Sequence, residues 1–112
     1  MEINLSGNGP RQIGQFYGGL AANTRRKLVL NGSTKYNTIY VDWQDALLGT
    51  LILEEAPVDY AGATWSVLGT FSYPGTSTIS VIRFTGAVGV LSLRNSGTVG
   101  PQGTVTAYYF GN

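Results

Sequence analysis

The sequence has neither cysteine nor histidine. Without cysteine there are no disulfides and no thiolate metal sites, while the compartment is left open. Without histidine the commonest metal ligand and the usual general base are both missing. Charge is also scarce: charged residues make up 12% of the chain and the net charge is +1, against a usual charged share of about 25%. So small a net charge points to neither nucleic acid nor an anionic membrane as a partner. Low charge fits two surfaces equally, a neutral Gly- and Thr-rich one and one that meets other protein. No apolar run approaches the roughly 18 residues that a membrane-spanning helix needs. Met1-Glu2-Ile3-Asn4-Leu5 carries no basic region followed by a long apolar stretch, so no signal peptide is expected.

What is present reads as one small domain. A chain of 112 residues with 43% hydrophobic content can bury a modest core and has no room for a separate catalytic domain. Residues 1–15 are polar and rich in glycine, with Ser6-Gly7-Asn8-Gly9-Pro10 marking a turn or extended segment. They are expected to form an N-terminal arm, and residues 16–112 a β-domain. Ile3 and Leu5 alternate with polar neighbours and could add to a neighbouring sheet edge. Residues 19–26 could form at most one short helix, which Gly18-Gly19 and β-branched Thr24 weaken.

From Lys27 onward the pattern is short strands at a spacing of about ten residues, the signature of a sandwich or barrel. Strands are expected over Lys27–Asn31, Thr38–Trp43, Gly49–Glu54, Trp65–Phe71, Ser77–Thr85, Val88–Arg94 and Thr104–Phe110. Asn31-Gly32 and Tyr73-Pro74-Gly75 supply turns. No long helical periodicity separates the strands, which argues against a parallel α/β sheet. The expected fold is therefore all-β, an antiparallel β-sandwich of jelly-roll type with an extended arm. Its expected core is Leu28, Leu30, Ile39, Val41, Leu51, Leu53, Trp65, Val67, Ile79, Val81, Leu91, Leu93, Val105 and Ala107. Aromatics fall on both faces of the last strand, so that strand is either central in its sheet or covered by a partner.

Catalytic equipment is thin. A nucleophile needs an activating base and an orienting group, and Lys27 and Lys35 both sit in polar segments. The acids Glu2, Asp42, Asp45, Glu54, Glu55 and Asp59 read as surface and loop groups. Glu54 and Glu55 are adjacent and would point to opposite faces. Asp42, Asp45 and Asp59 could in principle hold calcium, but no D-x-D-x-D-G run supports it. Neither enzyme activity nor a cofactor or metal is expected.

Gly49–Glu54, then Ala63-Thr64-Trp65, then Ile79 to Arg94, and a closing Gly103-Thr104-Val105-Thr106-Ala107 strand together resemble a small β-sandwich domain of tailed-phage virions. The resemblance covers about residues 49–110, and its motifs are packing and turn residues. It implies a non-enzymatic structural protein: a capsid decoration or cement protein, or a tail accessory subunit. The implied partners are the major capsid protein or another virion protein, with no nucleic acid or membrane involved. The implied location is the virion, on the capsid surface before the tail. Self-association, as a trimer, is expected from the low charge and from sheet edges that need cover. Expected interface residues are Ile3, Leu5, Arg25, Arg26, Tyr108 and Phe110. The alternative function is a carbohydrate- or receptor-binding module of a phage tail or fibre, using Tyr17, Tyr36, Tyr60, Tyr73 or Tyr108 as stacking faces.

Overall fold

The alternation of apolar and polar residues produces strands, and their cross-pairing produces two sheets. The computed structural model describes residues 10–46, 48–59, 62–97 and 103–112. The strands are β1 (Arg11–Tyr17), β2 (Arg25–Val29), β3 (Tyr36–Asp42), β4 (Thr50–Ala56), β5 (Ser66–Ser72), β6 (Ile79–Thr85), β7 (Val90–Asn95) and β8 (Thr104–Gly111). One sheet has the order β1-β8-β3-β6 and the other β2-β7-β4-β5, and every pairing is antiparallel. Only β4 and β5 are consecutive neighbours in one sheet; every other connection crosses between sheets. This strand order is an eight-stranded jelly roll. No helix occurs among the described residues.

The core lies between the sheets. Leu30, Ile39, Val41, Leu51, Leu53, Leu91, Leu93, Val105 and Ala107 are buried there as expected, joined by Phe16, Trp43, Ala46, Phe71, Val88 and Tyr109. Leu28 packs against them half-buried. Four expected core residues lie elsewhere. Trp65 is half-buried beside Arg25, and Val67, Ile79 and Val81 are exposed. On β6 both faces carry apolar side chains, so alternation cannot choose between them. The register with β3 does: Ile39 faces Ile82 and Val41 faces Ser80. The buried Trp43 indole then donates to the Ser80 hydroxyl at 2.8 Å, which removes the cost of burying an unpaired N–H. Ile79 and Val81 are left on the outside.

Two further expectations are corrected. Residues 11–15, assigned to the arm, belong to β1 and pair with β8, while residues 1–9 lie outside the described residues. Residues 19–26 hold turns and the start of β2 rather than a helix. Asn31 and Gly32 do form a turn, with φ of 53° and 72°, but it carries the chain from one sheet to the other rather than closing a hairpin.

β8 is central in its sheet, which accounts for aromatics on both its faces. Inside, the Tyr109 hydroxyl lies 2.6 Å from Asn37 Oδ1 and 2.7 Å from the Thr34 hydroxyl, and Asn37 Nδ2 donates to the Gly86 carbonyl. Gly111 approaches this cluster so closely that a Cβ there would fall on the Tyr109 hydroxyl. Gly111→Ala should therefore expel that hydroxyl and leave buried partners unmatched, lowering stability by about 1–3 kcal/mol. Chemical denaturation of this variant beside Tyr109→Phe checks it: Tyr109→Phe should cost less, because it removes the hydroxyl without displacing the ring.

Candidate interaction site

The two outer faces differ sharply in chemistry. On the outside of β2-β7-β4-β5, charges meet and satisfy one another. Glu54 is buried and its carboxylate lies between two guanidiniums. Arg25 Nη1 donates to Oε1 at 2.8 Å, and Arg94 donates to the same oxygen from Nε at 3.0 Å. Arg25 Nη1 also reaches the Ser92 hydroxyl at 3.2 Å, and Arg94 Nη1 reaches Asn23 Oδ1 at 2.7 Å. The Trp65 ring covers the Arg25 guanidinium at 4.2 Å, a favourable cation–π geometry. Lys27 pairs with Asp59 at 2.8 Å on the same side, an exposed contact worth little. Glu54, read from the sequence as a surface acid, is thus a buried ion-pair residue.

The outside of β1-β8-β3-β6 is different. Side chains at alternate positions point outward: Tyr108 and Phe110 from β8, Tyr36, Thr38, Tyr40 and Asp42 from β3, and Ile79, Val81, Arg83 and Thr85 from β6. The register sets them in rows, with Tyr108 beside Tyr40 and Tyr40 beside Val81, and Phe110 beside Thr38 and Thr38 beside Arg83. Tyr36 is 59% exposed, Ile79 57%, Val81 39% and Phe110 38%. Asp42 and Arg83 are the charges on these three strands' outer positions. An apolar and aromatic patch of this kind is a candidate for protein contact. Tyrosine and phenylalanine suit such surfaces because they offer large contact area on few rotatable bonds. At one corner, Tyr36, Asn37, Thr38, Arg83, Phe84 and Thr85 line an open notch of about 270 Å³.

The expected interface residues are therefore split. Tyr108 and Phe110 lie on the aromatic face. Arg25 lies on the opposite sheet, engaged with Glu54. Arg26 points the other way from Arg25, its stem over Gly14 and its guanidinium 5.7 Å from the Phe16 ring, so it closes the flank between β1 and β2. Ile3 and Leu5 lie outside the described residues. Of the expected stacking tyrosines, Tyr36 and Tyr108 share the aromatic face and Tyr17 stands exposed at the end of β1. Tyr73 packs edge-on against Trp43 at 5.7 Å, and Tyr60 is outside the described residues. Ile79 and Val81, expected in the core, are turned outward by the β6 register, and Tyr40 and Arg83 stand beside them on the same face. The three aspartates considered for calcium do not converge. Asp59 pairs with Lys27, Asp45 accepts the Thr104 N–H and Asp42 accepts the Gln44 N–H. Among the described residues no group of three or more metal-ligating side chains forms.

No family model matches the chain, and no curated protein matches it in sequence. Several solved structures superimpose on it. The SPBc2 prophage-derived protein YomS superimposes with a TM-score of 0.54 over 96% of this chain and 96% of that one, at 9% identity. The CBM36-1 domain of a multidomain xylanase from the hindgut metagenome of Trinervitermes trinervoides gives 0.48 over 93% and 96%, at 12% identity. A family 32 carbohydrate-binding module from C. perfringens NanJ, solved with galactose, gives 0.45 over 88% and 98%, at 9% identity. At such identities the likeness is one of fold, and a fold hosts many functions.

Proposed function

We propose that this chain is a non-enzymatic structural protein of a phage virion, a capsid decoration or cement subunit that binds the major capsid protein or another virion protein. The observation that carries this reading is the aromatic outer face of β1-β8-β3-β6, where Tyr36, Tyr40, Tyr108, Phe110, Ile79 and Val81 share one open surface. The opposite face, by contrast, neutralises its own charges. The virion-type strand and turn motifs from Gly49 to Ala107 point the same way. The fold shared with a prophage-derived protein is compatible with the reading and does not carry it. Ile3 and Leu5 would add a second contact.

Quantitative mass spectrometry of purified particles tests this directly. Hundreds of copies per particle fit decoration, and a few to a few dozen fit the tail. Tyr40→Ser combined with Tyr108→Ser should abolish particle binding while the protein stays folded, with a melting temperature lowered by no more than about 10 °C, since both side chains are half-buried on the outer face and lie outside the core. Full particle binding by that variant, or absence of the protein from particles, would sink the reading.

The notch beside Tyr36 favours a second reading, a carbohydrate- or receptor-binding module. A half-open recess with an exposed tyrosine, an arginine and two threonine hydroxyls is suited to stack and hydrogen-bond a sugar ring. Glycan-array binding lost in Tyr36→Ala would select it.

A further inference from the structure

We propose that two copies of this chain pair through β6, antiparallel and edge to edge, so that their aromatic faces join into one surface. The proposal stands apart from the virion assignment. It starts from the sheet edges, which present unpaired N–H and C=O groups unless something blunts them. β1 is interrupted by an irregularity between Gln12 and Gly14. β5 carries an extra residue, Leu68, where its register with β4 shifts. β2 presents Arg25-Arg26-Lys27, a block of like charge that repels a copy of itself. β6 has none of these. Its ladder with β3 runs from Ile79 to Thr85 without a shift, and it contains no proline, glycine or lysine.

The ladder with β3 fixes which backbone groups face away from the sheet on that edge. At one end of the ladder Trp43 donates its N–H to the Thr78 carbonyl, and at the other Gly86 donates to the Lys35 carbonyl. Bonded and non-bonded pairs alternate along an antiparallel ladder. Ser80, Ile82 and Phe84 therefore direct their backbone groups at β3, while Ile79, Val81, Arg83 and Thr85 direct theirs away from the sheet. Among the described residues these four make no backbone bond outside the ladder.

Arg83 then selects the register. Pairing centred on Arg83 would set two guanidiniums opposite each other, which is unfavourable. Pairing centred on Val81 would leave Thr85 without a partner. Pairing centred on Ile82 matches Ile79 with Thr85 and Val81 with Arg83 of the second copy, so every outward backbone group is used. The apolar stem of Arg83 then covers Val81 of the other copy, and its head is brought toward Tyr40. Such a contact is isologous and closes at two copies. A threefold assembly, as the composition suggests, would have to use another surface. A single strand edge gives a contact at the small end of specific interfaces, so association is weak and reversible.

The test is sedimentation velocity of the intact protein from micromolar to sub-millimolar concentration, beside Val81→Pro and Val81→Lys. The Val81 N–H points outward, so proline removes a bond to the second copy and none to β3. Lysine there would instead face Arg83 of the second copy and keeps the backbone unaltered if proline disturbs folding. The intact protein should dimerise, and each substitution should weaken dimerisation about tenfold or more. Amide exchange supplies an independent signature. Exchange at Ile79, Val81, Arg83 and Thr85 should slow as concentration rises, while Ser80, Ile82 and Phe84 stay slow throughout. An intact protein that remains monomeric over the whole range overturns the proposal, as does a dimer that survives both substitutions.

Discussion

Leu53→Ala and Leu91→Ala should each lower stability by about 2–5 kcal/mol, the cost of emptying a well-packed leucine site. Leu53 is 0% exposed and Leu91 1%. They sit on β4 and β7, the two inner strands of their sheet, where backbone pairing on both sides limits how far neighbours can collapse into the space left. The transfer loss and the residual cavity therefore add. For a domain of this size the change should appear as a drop in melting temperature of about 10 °C or more. Val81→Ala supplies the contrast. Its side chain is partly exposed on an edge strand, and its truncation should cost no more than about 0.5 kcal/mol. Urea denaturation of the three variants decides the matter: a loss below about 1 kcal/mol at both leucines would mean that the buried faces are misassigned.

The second large effect belongs to Glu54. Glu54→Leu removes the anion between Arg25 and Arg94 and leaves two guanidiniums facing each other beside Ser92 and Trp65. Breaking a fully buried ion pair costs about 3–5 kcal/mol, most of it the penalty of the stranded charge. Here the arginine side chains are 24% and 21% exposed while that of Glu54 is 6% exposed. Water can reach part of each guanidinium, and a loss of about 2–3 kcal/mol is expected instead. Two measurements separate this cause from simple repacking. High salt should shrink the deficit, because it screens the exposed repulsion. Adding Arg25→Met and Arg94→Met to Glu54→Leu should recover most of the loss, since an apolar triad of similar volume has no charge to strand. A deficit untouched by both would locate the effect in packing alone.

Much of the sandwich is legible in the chain because a strand writes its buried face into alternation. Ile39 and Val41, Leu51 and Leu53, Leu91 and Leu93, and Val105 and Ala107 each stand two residues apart with polar or outward neighbours between them, and all are buried. The turn at Asn31-Gly32 is equally local, since both residues adopt positive φ at low cost. The sequence holds neither histidine nor cysteine, so the commonest metal ligand and any thiol nucleophile are missing from it. What lay beyond reach was every choice between two similar local answers. β1, RQIGQFY, is polar enough to read as an arm, and only its pairing with β8 makes it a strand. β6 has apolar residues on both faces, and only its register with β3, helped by the Trp43–Ser80 hydrogen bond, turned Ile79 and Val81 outward.

The strand identity of β2 to β8, the turn at Asn31-Gly32 and most of the core were thus determined by the sequence alone, because they depend on neighbours one to four residues away. Tertiary structure alone decided three things. It set which strands share a sheet, it brought Arg25, Glu54 and Arg94 together from three strands, and it gathered Tyr36, Tyr40, Tyr108, Phe110, Ile79 and Val81 on one face. These depend on pairings between segments that are tens of residues apart. The free energy of such pairings comes from packing and backbone hydrogen bonds that no short window of the sequence contains.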